Sequence, residues 1–255
     1  MDGNGTWDNL SRYVAMDAVV ESGTVVLVVF VGNDPDQDRA PAMLPRVSDP
    51  FAAIPLPPHA STANNAFARA RGMQRAEPTL EQFLYRHSAV YAWWRVYRAL
   101  HAKDPMSRLQ RKRFQSELRA FSTVGAAEVP GLAGATGEAL AAFVRVAAAR
   151  GDRLLVAVAP PSFALDGPTT ARTLATFGMD PATAEPDALH VAVVDEAFAA
   201  GATTCDLRPA LAASRASGDE PYFRFVGHWN PTGHRVVAEA IAACVGDTSA
   251  RESAG

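Results

Sequence analysis

The sequence predicts an α/β protein whose central sheet is parallel and covered by helices on both faces. Three observations predict it. Thr24 to Val31 is a continuous run rich in β-branched residues, apolar on both faces, which is how a buried parallel strand reads. Arg153 to Ala159 is a second apolar run, stopped by Pro160-Pro161. Between and after these runs, segments with helical spacing alternate with strands, the order that builds crossover helices onto a parallel sheet.

The elements follow in chain order. Trp7 to Glu21 places Trp7, Leu10, Val14 and Ala18 at helical spacing, so an amphipathic helix is expected there. The first strand ends in Gly32-Asn33-Asp34, three residues that favour a turn. Pro35 to Pro78 is polar, Pro-rich and without a sustained period, and reads as a long loop. Thr79 and Gln82 form a capping box that opens a helix rich in aromatics, through Phe83, Tyr91, Trp93, Trp94 and Tyr97 to about Ala102. Residues 79–130 are therefore expected to form a helical insertion or lid. A helix from Thr136 to Arg150 precedes the second strand. One or two helices are expected between Pro168 and Ala200, then a short strand Thr203 to Leu207, and a closing helix Pro231 to Cys244. Residues 246–255 read as a disordered tail after a single domain spanning 1–245.

The 255 residues carry a formal net charge of -3 and are 48% hydrophobic, enough for one domain with a sizeable core. That charge leaves no basic footprint for nucleic acid or an anionic membrane surface. The short basic cluster at Arg108 to Arg113 reads as a solvated helix face. Val25 to Val31 is too short to cross a bilayer, and Met1 to Trp7 has no signal-peptide character. Localisation and oligomeric state are left open. Cys205 and Cys244 lack metal-like spacing and are expected as buried free thiols. No Gly-rich phosphate loop follows a strand, so no cofactor and no metal are expected.

Two residues stand where reactive groups gather, beyond the carboxyl ends of strands. Asn33 carries an amide able to donate to a developing oxyanion. His228, on a loop before a helix, is able to act as general base towards a hydroxyl. His234, inside the same helix, reads as structural.

Val-Leu-Val-Val-Phe-Val-Gly-Asn-Asp (Val26 to Asp34) and Gly-His-Trp-Asn-Pro-Thr-Gly-His (Gly227 to His234) together resemble two conserved blocks of the SGNH hydrolase (GDSL-like lipase/esterase) family. Leu154 to Pro161 and Cys205 to Leu211 resemble its last two strands, in the family's order. The resemblance implies a three-layer α/β/α, flavodoxin-like fold lacking its first two strands. It implies that Asn33 is an oxyanion donor and His228 the general base. Gly3-Asn4-Gly5-Thr6 resembles the end of a further block whose glycine N–H serves the oxyanion hole, so Gly3 joins the expected catalytic set. The implied substrate is a small-molecule or carbohydrate acyl ester, or an acylated lipid.

Two departures qualify that expectation. No Gly-Asp-Ser occurs in the chain, and Val226 stands where relatives with this turn carry Asp two residues before the histidine. A missing upstream segment of roughly 50–100 residues is expected on domain-size grounds. Two readings follow: a serine esterase or acyltransferase whose nucleophile block lies outside these residues, and a catalytically inactive SGNH-fold binding protein.

Overall fold

The computed structural model describes residues 5–16, 23–39, 88, 90, 94, 108–223 and 227–252. The chain divides into two compact units, Met1–Ala42 with Ser116–Gly255, and Met43–Gln115. In the second unit the described residues are Ser88, Val90, Trp94 and the opening turns of one helix, with Val90 and Trp94 exposed. Most of the expected loop and insertion therefore lies outside the described residues.

Numbered over the described residues, the elements are α1 (Thr6–Met16), β1 (Thr24–Phe30), α2 (Asp34–Arg39), α3 (Arg108–Arg119), α4 (Val129–Ala149), β2 (Arg153–Ala159), α5 (Gly167–Thr176), α6 (Ala188–Ala199), β3 (Thr203–Asp206), α7 (Arg208–Ala216) and α8 (Pro231–Glu252). The strands form one parallel sheet in the order β1-β2-β3. Thr24 pairs with Arg153 and Phe30 with Ala159, while Leu155 pairs with Thr203 and Val158 with Asp206. The carboxyl ends of all three strands therefore lie along one edge of the sheet.

Strand side chains alternate between two cores, as a period of two requires. Leu27, Val29, Leu154, Val156 and Val158 face Leu10 and Val14 of α1, Leu140 and Phe143 of α4, and Val193 of α6. Leu155, Ala157, Ala159 and Cys205 face Leu211 of α7 and Val237 of α8. This is the three-layer α/β/α arrangement the sequence predicts. Burying a side chain such as Phe143 or Leu140 contributes about 1.5–3 kcal/mol, so the larger first core dominates stability. Among the described residues β1 is an edge strand, and its Val26 is 42% exposed.

Four expectations are corrected. Cys205 and Cys244 are joined in a disulfide, with Cα atoms 5.9 Å apart, rather than free. They lie 39 residues apart in sequence, and only the packing of α8 on β3 brings them together. The loop expected from Pro35 opens with the helix α2, because Pro35 occupies the first turn, where its fixed φ favours a helix and its missing N–H costs nothing. Similarly, α4 begins at Val129 rather than Thr136, with Pro130 in its first turn. Finally, α8 runs on to Glu252, through residues read as an irregular tail, since no proline follows Pro231 to stop it.

Among the described residues, the stretch Thr123–Ala149 is long and apolar enough to cross a membrane. It contains α4, whose Leu132, Leu140, Phe143 and Val146 are buried in the first core.

Candidate functional site

The turn after β1 is built to be rigid. Val31 N–H donates to Ala159 O at 2.9 Å, extending the pairing with β2 by one residue. Asn33 N–H donates to Phe30 O at 3.3 Å, closing a four-residue turn. The Asp34 carboxylate accepts from Phe30 N–H at 2.8 Å, and Asn33 O receives Gln37 N–H as α2 begins. Asn33 is half-buried. A Cβ on Gly32 would lie 2.5 Å from the Phe30 ring, so the turn packs closely on the strand it leaves.

Two buried carboxyls stand behind this turn. Burial pushes the Asp34 pKa up to about 7, opposed by the Phe30 N–H and reinforced by Asp38. Burial also raises Asp38, opposed by hydrogen bonds from Thr136 and from the start of α1. Thr136 Oγ1 donates to Asp38 at 3.0 Å and Trp7 N–H at 3.4 Å, so one carboxyl ties α2 to α4 and caps α1. A Cβ on Gly5 would sit 2.6 Å from the Asp38 carboxylate, which is why this approach needs glycine. Gly3, the residue expected from the sequence to serve the oxyanion hole, lies outside the described residues.

The His228 turn is made differently. Tyr222 and Trp229 form an antiparallel bridge, flanked by Phe223 N–H to His228 O at 2.9 Å and Asn230 N–H to Pro221 O at 3.0 Å. Asn230 then caps α8. Its side-chain oxygen accepts from Gly233 N–H at 2.9 Å, and its amide donates to Glu220 O at 2.6 Å. Gly233 is required, because a Cβ there would meet Pro221 O at 2.0 Å. His234 packs edge-on against Trp229 with ring centres 5.7 Å apart.

Two contacts fasten this ribbon to the sheet. Buried Tyr222 donates its hydroxyl to Pro160 O at 2.6 Å, immediately beyond β2, and burial pushes its pKa up to about 12. Arg215 grips both carboxylate oxygens of Glu220 at 3.0 and 2.7 Å and donates to Ser162 O at 2.8 Å. The His228 turn is thus pinned beyond β2, and the Asn33 turn beyond its neighbour β1, at the same edge of the sheet. His228 itself is exposed, and among the described residues no side chain hydrogen-bonds its ring. Glu220, close by in sequence, is committed to Arg215 and to Tyr222 N–H.

One carboxylate–histidine pair has no local sequence signal. His190 of α6, 1% exposed, hydrogen-bonds Asp206 at 2.7 Å through Nε2, at the carboxyl end of β3. Asp206 also accepts from Arg208 N–H, and together these interactions hold its carboxyl below its usual range against the opposing effect of burial. The imidazole is sealed in the core and out of reach of a substrate, so the pair clamps α6 to β3. A shallow cleft of about 60 Å³ lies beside Gly32, Pro35 and Leu189; neither Asn33 nor His228 lines it.

A parallel sheet between two helical layers is the arrangement expected of an SGNH hydrolase-like α/β domain. A family model described as the SGNH hydrolase-like domain of the acetyltransferase AlgX matches residues 121–255, more than half the chain, and the chain belongs to this family. The family is one of acyl-transfer and esterase-like domains. The match takes in His228 and stops short of Asn33 and Gly3. No curated protein and no solved structure matches.

Proposed function

We propose that this domain serves acyl transfer or ester hydrolysis on a small-molecule or carbohydrate acyl ester, or an acylated lipid, with His228 as general base and Asn33 as oxyanion donor. The observation that carries this reading is the fastening of the His228 turn to Pro160 through Tyr222, one strand from Asn33. In the reaction His228 takes the proton of a serine hydroxyl as that oxygen attacks the ester carbonyl. The Asn33 amide would stabilise the resulting oxyanion, together with the Gly3 N–H that the family resemblance adds. The proton passes to the departing alcohol, and water or an acceptor hydroxyl then releases the acyl group. The chain contains no Gly-Asp-Ser motif, and the nucleophile is not assigned to one of its residues.

Hydrolysis of p-nitrophenyl acetate and labelling by a fluorophosphonate test the reading. His228→Ala is expected to lower hydrolysis about 10²- to 10⁴-fold, and Asn33→Ala about 10²- to 10³-fold. Unchanged rates in both variants would remove the assigned roles.

A second reading, an inactive relative that binds an acyl ester without turning it over, is favoured by one observation. Both oxygens of Glu220 are held by Arg215, and no described carboxylate orients His228. Retained ester binding without phosphonate labelling or hydrolysis, in a protein that also carries a Gly-Asp-Ser block, would select it.

A further inference from the structure

The ribbon before α8 has two faces with opposite fates. In an antiparallel pair, residues directly opposite one another point to the same side of the ribbon, and neighbours along a strand alternate. Tyr222 and Trp229 are opposite each other, so Phe223 is opposite His228, and the Phe223 N–H to His228 O bond at 2.9 Å fits that register. The Tyr222/Trp229 face turns inward, with Tyr222 buried in the second core and Trp229 packed against it. The Phe223/His228 face turns outward, and Phe223 is 52% exposed. Opposite residues in such a pair have Cβ atoms about 5 Å apart. A carbonyl within reach of the His228 ring therefore brings its attached groups against the Phe223 ring.

We propose that Phe223 is a substrate-binding and specificity-determining residue, packing against the C–H surface of the ester next to the carbonyl that His228 serves. Its outward direction comes from the ribbon register and its apolar ring from the sequence. The assignment of substrate to this face rests on the acyl-ester reading above. The same C–H surface is offered by an aliphatic acyl chain or by an aliphatic ring on the alcohol side. In either case an apolar ligand covers an aromatic ring that otherwise faces water.

Amide isosteres, which resist turnover, separate binding from chemistry. One series keeps the 4-nitroanilide and lengthens the acyl group from acetyl to butyryl to hexanoyl. A second keeps acetyl and places methyl, cyclopentyl or cyclohexyl on nitrogen. Affinity is read by saturation-transfer NMR titration on the whole chain. Phe223→Ala is expected to weaken binding of the longer or bulkier members about five- to tenfold, in whichever series contacts the ring. Phe223→Leu is expected to keep most of the affinity. Phe198→Ala, at a still more exposed phenylalanine on α6, is expected to change nothing.

Phe223→Ala binding every probe as the wild type does, or a wild-type chain that binds none, overturns the proposal. Loss of binding in Phe223→Ala with hydrolysis unaffected by His228→Ala would sustain it while removing the catalytic assignment.

Discussion

The two turns at the carboxyl edge of the sheet contrast in how they are held. The Asn33 turn is sealed: Asp34 and Asp38 are buried behind it, and hydrogen bonds run from it to β2, α1 and α4. The His228 turn stands on the surface, fixed by one tyrosine hydroxyl, one arginine–glutamate clamp and the cap of α8. The difference matches the tasks proposed for them. A donor to an oxyanion works best when preorganised and shielded from water, since it then needs no reorganisation at the moment of reaction. A general base must exchange protons and meet the substrate, so its ring has to remain accessible. The sealed turn is stabilised by buried groups whose charge state matters, the open one by local geometry. Each turn should therefore fail in its own way.

The largest effect is expected at the sealed turn. Between the ordinary carboxylate pKa of 3.8 and the folded value of about 7, the unfolded chain has released a proton that folded Asp34 keeps. Stability from this group is therefore complete at low pH and declines as pH rises to about 7, by up to about 4 kcal/mol on linkage grounds. Asp34→Asn keeps an acceptor for Phe30 N–H and removes the penalty. It is expected to raise the melting temperature clearly at pH 8 and hardly at all at pH 4. An equal rise at both values would show that burial of this charge is not what limits the sealed turn.

A somewhat smaller effect is expected at the open turn, and its sign is the informative part. In an ordinary helix interior, Gly→Ala stabilises by up to about 1 kcal/mol. Gly233→Ala is expected to destabilise by about 1–3 kcal/mol, because the added methyl meets the Pro221 carbonyl and must push the ribbon off α8. Urea titration at pH 8 measures it. A stabilised variant would mean that the ribbon and helix are less tightly joined than the geometry requires.

The same contrast separates what was legible in the sequence from what was not. The three strands and the layering were legible because each strand is a continuous apolar run, and because both faces of such a run must be covered. The places of Asn33 and His228 in the fold were legible because each sits in a short motif beside a strand end or a helix start; their roles remain a proposal. The tertiary contacts were not. Cys205–Cys244, His190–Asp206 and Thr136–Asp38 join residues 39, 16 and 98 positions apart. No local period or spacing records such a meeting, and chemistry alone favours free thiols and solvated acids. The buried state of Asp34 was hidden for the same reason: Gly-Asn-Asp reads as a solvent turn until α1, α2 and α4 close over it. Arg215 was hidden too, since its helix looks amphipathic whether or not it grips Glu220.

The smallest change in stability is expected at Tyr222, yet it tests most directly why the open turn is fastened at all. Tyr222→Phe removes one hydroxyl and leaves the ring in the second core. Losing its hydrogen bond to Pro160 O should cost about 1 kcal/mol, somewhat more if that carbonyl stays buried and unpaired. If the bond acts only as a staple, the melting temperature falls slightly and hydrolysis is unchanged where the protein is folded. If it registers His228 against the sheet edge, kcat falls well beyond that while KM is nearly constant. A misplacement of about 1 Å is enough to cost roughly 10²-fold in rate. The turn would then owe its position to β2 rather than to its own cap. Asn230→Ala, which cuts the cap and leaves the Tyr222 hydroxyl in place, should in that case lower stability more than Tyr222→Phe and kcat less.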